Sequence, residues 1–130
     1  MKVRRLICED FAKILRPPRD PVLQRMAAAS LSSSTDCLNV DVLLTPSVIS
    51  TAPLYSEFMK ADNRTRCSEN DIFTLSANMA GVPAISLPVR LSQSNLPIGL
   101  QLIAGNFQEN ILFKAARFLE QKAAFTGFIP

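Results

Sequence analysis

Histidine and tryptophan are absent from this 130-residue chain, and tyrosine occurs once. Without an imidazole, the chain holds no Ser–His–Asp triad, no Cys–His pair and no His-ligated zinc site. Any acid–base chemistry would therefore have to use lysine, carboxylate, serine or cysteine side chains. The lack of tryptophan and the single tyrosine also leave few aromatic platforms on which nucleic-acid bases could stack.

Cysteines and long apolar runs are also scarce. Cys8, Cys37 and Cys67 form no CxxC pair, which speaks against a metal site and fits a reducing compartment. Cys8 falls beside an apolar helix stripe, so we expect it to be buried and structural. No run of eighteen apolar residues predicts a membrane span. The N-terminus lacks the apolar core of a signal peptide, and Glu9 and Asp10 argue against a transit peptide, so no targeting peptide is predicted.

The basic residues are concentrated in the first 25 positions, although the formal net charge of the chain is only +3. They are Lys2, Arg4, Arg5, Lys13, Arg16, Arg19 and Arg25. Such a segment could contact RNA or an acidic partner. Because it contains no dense Arg/Lys run and no interleaved aromatics, a solvated helix face is the favoured interpretation.

The N-terminal segment predicts a helix followed by a long connection. Apolar residues recur at helical spacing over residues 2–15, and Pro17–Pro18 end the pattern. Residues 16–39 are rich in turn formers and small polar residues, and we predict a loop or disordered insertion there, with one or two helical turns at 23–29. The serine run 32–34 has no adjacent glycine and lies in low-complexity sequence, so it is interpreted as a linker rather than a nucleophile.

The remaining elements follow the same reasoning. Strands are predicted at Val40–Leu44, at Ala84–Val89 with an interruption at Pro88, and at Ile98–Ala104. Residues 46–68 and 124–130 are expected to be irregular, with a turn-rich connection at 91–97. The nearly apolar third strand is typical of a central strand buried on both faces. The order predicts an α/β fold with helices covering a mixed sheet, and a sheet that is incomplete here.

Two further helices have recognisable ends. One is predicted over Asp71–Met79, with Ser68 or Asn70 near its start and Gly81 just beyond its end. Asn106 and Glu109 resemble a capping box before the last helix. That helix is expected to bury one face, formed by Ile111, Leu112, Ala115, Phe118 and Leu119.

The order of several sequence blocks resembles the C-terminal portion of amidase signature enzymes. Within that family, the chain is most similar to the A subunits of glutamyl-tRNA(Gln) amidotransferases of the animal mitochondrial type. The blocks are KVRRLI with EDF, VDVLLTPS, APLYSEF, DNRTR, ENDIFTLSANMAGVPAISLPV and LPIGLQLIAGNF. They cover residues 1–15 and 40–123. The long connection 16–39 departs from the family, as either a surface insertion or retained intron sequence.

The resemblance implies a large α/β/α amidase fold and chemistry that needs no histidine. The family triad consists of a lysine, a bridging serine and a nucleophilic serine, whose positions lie upstream of this chain. We therefore assign no catalytic residue and no metal ligand here. The A subunit hydrolyses glutamine, and the ammonia reaches a B subunit that activates Glu-tRNA(Gln) with ATP and Mg²⁺, while a small C subunit binds between the two. This chain is expected to bind no cofactor itself, and its parent is expected in the mitochondrial matrix.

Asp71 is the one site residue that the resemblance transfers to this sequence. It matches the family aspartate that binds the α-ammonium group of glutamine, a strong and directional contact for a carboxylate. Without the resemblance, Asp71 is equally well explained as an acidic residue favoured at the start of a helix.

Three interpretations remain open from the sequence. Residues 1–130 are a C-terminal fragment of such an A subunit, with no activity alone. Alternatively, they belong to another amidase signature hydrolase that acts on small amides. A third possibility is a short non-catalytic protein that binds a partner through an exposed sheet edge.

Overall fold

Helices and antiparallel strands share the chain in the computed structural model, which describes residues 2–28, 39–60, 62 and 70–126. The helices are α1 (Lys2–Ile14), α2 (Pro21–Ala28), α3 (Tyr55–Phe58), α4 (Leu75–Ala80) and α5 (Glu109–Ala123). The strands are β1 (Val42–Pro46), β2 (Ala84–Leu91) and β3 (Pro97–Ala104). All three predicted strands are therefore present, each shifted or extended by one or two residues, as is usual for element boundaries.

The strand order in the described sheet is β1-β3-β2. β3 is the central strand, as its apolar sequence predicts. It pairs antiparallel with both neighbours, with Leu102 opposite Leu44 on one side and Ile85 on the other. Where a mixed sheet was predicted, both strand pairs described are antiparallel. For β2 and β3 this follows from the short hairpin turn that joins them. The parallel contact is an isolated bridge between Leu15 and Val40.

The first face of the sheet packs against α5. Because side chains alternate along a strand, Leu102 and Ala104 point to the same side. There they form a buried cluster with Leu112 and Ala116 of α5. The half-buried residues around it are Val42, Ile85, Leu87, Ala115 and Leu119.

The opposite face packs against α1 and α4. Ile103 is 2% exposed and forms a second cluster with Leu15 and Ala77. Phe11, Leu43 and Val82 pack around it. The described chain is thus a three-layer α/β/α arrangement, which confirms the predicted α/β class.

The start of α5 differs from the prediction. The residue before the helix is Gln108, and it forms no side-chain cap. Asn106 is therefore not the cap, and its Oδ1 is buried without a partner among the described residues. The side-chain amide of Gln108 instead donates to the carbonyl of Arg16, so a distant segment determines how this turn is built.

The predicted buried face of α5 is confirmed at Leu112, Ala115 and Leu119 but is wrong at Phe118. Leu112 and Ala116 are buried, whereas Phe118 is 62% exposed. Phe118 follows Leu112 by six residues, which places it roughly two-thirds of a turn out of phase with the buried row. The α5 side chains that pack in the cluster under the sheet are Leu112, Ala115, Ala116 and Leu119.

Helix α2 lies where one or two helical turns were predicted within the long connection. The serine run 32–34, Cys37, Cys67 and Ser68 lie outside the described residues. Cys8 is half-buried rather than buried, and its Sγ donates to the carbonyl of Ala80 at 3.6 Å. In the described part of the chain, no helix is long and apolar enough to cross a membrane.

Candidate substrate-binding site

Asp71 begins a turn that leads into α4. The backbone carbonyl of Asp71 accepts from the amides of Thr74 at 3.0 Å and Leu75 at 2.9 Å. Helix α4 begins at Leu75, later than predicted, and ends as expected before Gly81, which adopts the left-handed conformation with φ 74°. Asp71 therefore lies one turn upstream of the helix rather than within it.

The carboxylate of Asp71 is exposed and forms no hydrogen bond or ion pair with any described residue. The residue before α4 is Thr74, which also forms no side-chain cap. A structural role as the acidic residue that caps this helix therefore finds no support in the contacts. The carboxylate is instead available to a cationic group from outside the described chain.

A polar row crosses the sheet on the face that carries α1 and α4. Thr45 on β1 and Ser86 on β2 both lie opposite Gln101 on the central strand. Gln101 shares a face with Ile103, since both are odd-numbered positions of one strand. It is only 4% exposed, and its Nε2 donates to Thr45 Oγ1 at 3.3 Å.

Ser47 extends the polar row beyond Ser86, and its hydroxyl pairs with that of Ser86. Ser47 Oγ and Ser86 Oγ lie 2.7 Å apart. Gly99 lies between them, and a Cβ added there would come within 3.3 Å of Ser47 Oγ and 3.4 Å of Ser86 Oγ. The glycine therefore leaves room for the hydroxyl pair, which sequence reasoning did not identify.

Gln101 also connects the polar row to the turn that carries Asp71. Its Nε2 donates a second hydrogen bond to the backbone carbonyl of Phe73 at 3.2 Å. A carboxylate with no partner among the described residues thus lies on a turn that is hydrogen-bonded to a sheet face bearing hydroxyl and amide groups. This arrangement suits recognition of a small polar ligand with a cationic end.

The same geometry contains no activated nucleophile. Ser47 and Ser86 hydrogen-bond to each other, and no described lysine or carboxylate bonds to either hydroxyl. A serine nucleophile needs an adjacent base. Within the described ranges, no three Cys, Asp or Glu residues cluster as metal ligands would. The described residues therefore offer polar groups that could hold a ligand, and no activated nucleophile among them.

The family model described as Amidase matches residues 4–113. The chain belongs to the amidase family. The order of its sequence blocks, read without the structure, correctly identified this family.

The curated relatives are much longer than this chain, which matches only part of each. It is 43% identical over 125 residues to the A subunit of the mitochondrial glutamyl-tRNA(Gln) amidotransferase of Aedes aegypti, covering 96% of this chain and 21% of the relative. It is also 43% identical over 124 residues to the human protein of the same name, covering 95% of this chain and 20% of the relative. The chain thus spans about a fifth of the length of these curated relatives.

Solved structures share the fold. The A subunit of glutamyl-tRNA(Gln) amidotransferase from Thermotoga maritima matches with a TM-score of 0.58 and 39% identity, over 69% of this chain and 20% of that chain. A 6-aminohexanoate cyclic dimer hydrolase matches with a TM-score of 0.56 and 30% identity, over 68% and 20% of the two chains. Because amidases with different names share this arrangement, the fold does not by itself select the substrate.

Proposed function

We propose that this chain forms the glutamine-binding part of a glutamyl-tRNA(Gln) amidotransferase A subunit. The observation that carries the proposal is the exposed carboxylate of Asp71, which is unpaired among the described residues and lies on a turn fastened to the sheet. The names and identities of the curated relatives support the choice of substrate. In this proposal, Asp71 binds the α-ammonium group of glutamine.

A carboxylate suits this task because charge-assisted hydrogen bonds to an ammonium group are short and strong. A simple amide lacks the ammonium group, and would leave the carboxylate without its partner. Asp71 therefore contributes to selecting an amino-acid amide over a simple one.

The reacting groups of the proposed enzyme lie outside this chain. A lysine and two serines in the remainder of the A subunit would hydrolyse glutamine. The released ammonia would be used by a B subunit, where ATP and Mg²⁺ activate Glu-tRNA(Gln), with a C subunit completing the complex. The products serve mitochondrial translation, which places the complex in the matrix. Residues 1–130 alone are inactive in this proposal.

The second candidate function is hydrolysis of a small amide without tRNA. The observation in its favour is the similarity of the fold to 6-aminohexanoate cyclic dimer hydrolase, at nearly the same TM-score. The two candidates differ in whether the substrate carries an α-ammonium group. Comparing glutamine with a simple alkyl amide as substrates separates them.

The decisive experiment uses the natural polypeptide that carries this chain with the rest of an amidase, called the parent polypeptide below, purified with its partner subunits. Asp71→Asn is expected to raise KM for glutamine on the order of tenfold to a hundredfold, the usual loss for a charged hydrogen bond. Glu109→Gln is the matched control, because Glu109 is an exposed acid at the start of a helix on the opposite face of the sheet. An unchanged KM in Asp71→Asn would disprove the proposed role.

A further inference from the structure

We propose that Gln101 is a positioning residue for substrate binding, which fixes Asp71 relative to the sheet through the backbone carbonyl of Phe73. The inference rests on the proposed function, since it takes Asp71 to bind the substrate ammonium group. Gln101 itself contacts no substrate in this proposal. It acts only through the turn that carries the carboxylate.

The side chain of Gln101 is held in one orientation. It is 4% exposed, on the central strand of the sheet. A glutamine amide has two N–H donors. One Nε2 hydrogen bond goes to Thr45 Oγ1 at 3.3 Å and the other to the Phe73 carbonyl at 3.2 Å. Because both donors are used, rotation of the amide would break both contacts inside a buried site.

The turn from Asp71 to Leu75 transmits this constraint. The carbonyl of Asp71 accepts from the amides of Thr74 and Leu75, so the turn is closed by its own backbone hydrogen bonds. Phe73 is one of the residues of this closed turn. Fixing that carbonyl to β3 therefore fixes the Cα of Asp71, two residues earlier, relative to the strand.

A purely structural role for Gln101 would lead to different effects when its hydrogen-bond partners are removed. If the amide only satisfies buried hydrogen-bonding groups, then losing either partner would lower stability without a specific effect on substrate binding. If it positions Asp71, loss of the Phe73 contact would weaken binding far more than loss of the Thr45 contact. Thr45→Val separates the two roles, because it removes one partner of the amide and leaves the Phe73 contact intact.

The experiment measures glutamine hydrolysis by the parent polypeptide with its partner subunits, for Gln101→Met, Thr45→Val and Asp71→Asn. Gln101→Met keeps the length of the side chain but donates no hydrogen bond. We expect it to raise KM for glutamine on the order of tenfold, the loss of about one hydrogen bond. We expect kcat to stay within about twofold, since the reacting groups are not displaced. Thr45→Val is expected to raise KM much less than Gln101→Met, because the hydrogen bond to the Phe73 carbonyl remains.

A second readout bypasses the glutamine site. Free ammonium supplied in place of glutamine needs no binding by Asp71, so amidation supported by ammonium should be unchanged in Gln101→Met. If that variant does not assemble, Gln101→Asn replaces it, because its amide stays neutral but is one methylene further from the Phe73 carbonyl.

Each outcome has a defined meaning. If Asp71→Asn raises KM but the Gln101 variants do not, or if Thr45→Val raises KM as much as they do, the positioning role is overturned and the proposed function stands. If Asp71→Asn leaves KM unchanged, both are overturned. A loss of ammonium-supported amidation in Gln101→Met would also overturn the positioning role, since the defect would then be a general one.

Discussion

Leu15 and Val40, separated in sequence by the whole of the long connection, lie side by side in an isolated parallel bridge. The amide of Arg16 donates to the carbonyl of Val40 at 2.9 Å, and the amide of Val40 donates to the carbonyl of Ile14 at 3.0 Å. An ion pair between Arg16 and Asp41, at 3.0 Å, strengthens the same junction. The base of the connection is thus closed by residues that lie outside 17–38.

We predict that residues 17–38 can be replaced by a Gly-Ser dipeptide without loss of the fold. Most of the described side chains of α2 are exposed, and Pro18 is the one buried residue among the described positions of the excised segment. Shortening this connection about elevenfold lowers its loop-closure cost by about 2 kcal/mol, so the free energy of unfolding should stay the same or rise by up to that amount. Urea unfolding of the parent polypeptide measures this. Loss of the folding transition would show instead that the segment belongs to the core.

Gly105→Ala should be strongly destabilising. A Cβ at this position would lie 2.9 Å from the carbonyl oxygen of Arg16 and 3.0 Å from Gln108 Nε2. The first of these is a backbone atom, so the clash can be relieved only by moving the junction of α1 and α5. We expect a loss of about 1–3 kcal/mol, as for other overpacked sites. Wild-type stability in this variant would contradict the close approach.

Gly81→Ala should be destabilising for a different reason. No atom lies within 4 Å of an added Cβ, but the residue has φ of +74° at the end of α4. The left-handed conformation costs an alanine residue about 1–2 kcal/mol of conformational free energy, whereas asparagine tolerates it better. Gly81→Asn is therefore the control, and urea unfolding should rank wild type, Asn and Ala in that order. Equal stability of the Asn and Ala variants would contradict backbone strain as the cause.

The two neighbours Leu112 and Phe113 should respond very differently to truncation. Leu112 is 2% exposed in the α5 cluster, while Phe113 is 60% exposed. Leu112→Ala is expected to cost about 2–5 kcal/mol, because it leaves a cavity between α5 and β3. Phe113→Ala should change stability by no more than about 0.5 kcal/mol in the isolated fold. A larger loss for Phe113→Ala in the parent polypeptide than in the isolated chain would show that another part of the amidase covers it.

The isolated 130-residue chain should self-associate. In the described sheet, β1 and β2 are both edge strands, and Phe113 and Phe118 are both exposed. Unpaired strand edges and exposed aromatics are templates for association. Size-exclusion chromatography with light scattering should show oligomers that Phe113→Lys with Phe118→Lys reduces. A stable monomer with cooperative unfolding would instead favour the short, non-catalytic interaction protein.

Local elements were predictable because their signals are local. The apolar stripe of α1 and the proline pair behind it predicted a helix over 2–15, and the structure has Lys2–Ile14. Gly81 was predicted to end α4, and it does so in the left-handed conformation. The apolar run of β3 correctly indicated the central strand. In each case the deciding residues lie within a few positions of the feature.

Failures arose where a distant segment decides the outcome. Asn106 has the sequence of a helix cap, yet the turn is shaped by the contact between Gln108 and Arg16. The carboxylate of Asp71 was singled out by resemblance, but its lack of a described partner and its place one turn before α4 were not foreseeable. Whether Asp71 binds substrate stays a prediction.

The sequence by itself determined the three strands, most of the helices, the α/β class and the amidase family, since periodicity, turn residues and motif order are all contained in short blocks. It missed α3, which lies within residues 46–68 that were predicted to be irregular. Tertiary structure alone decided which polar groups meet. Gln101 has no partner nearby in sequence, and its hydrogen bonds to Thr45 and Phe73 exist only because β1, β3 and the turn before α4 pack together. Such contacts depend on strand register and on the layer above the sheet, and no local pattern encodes either.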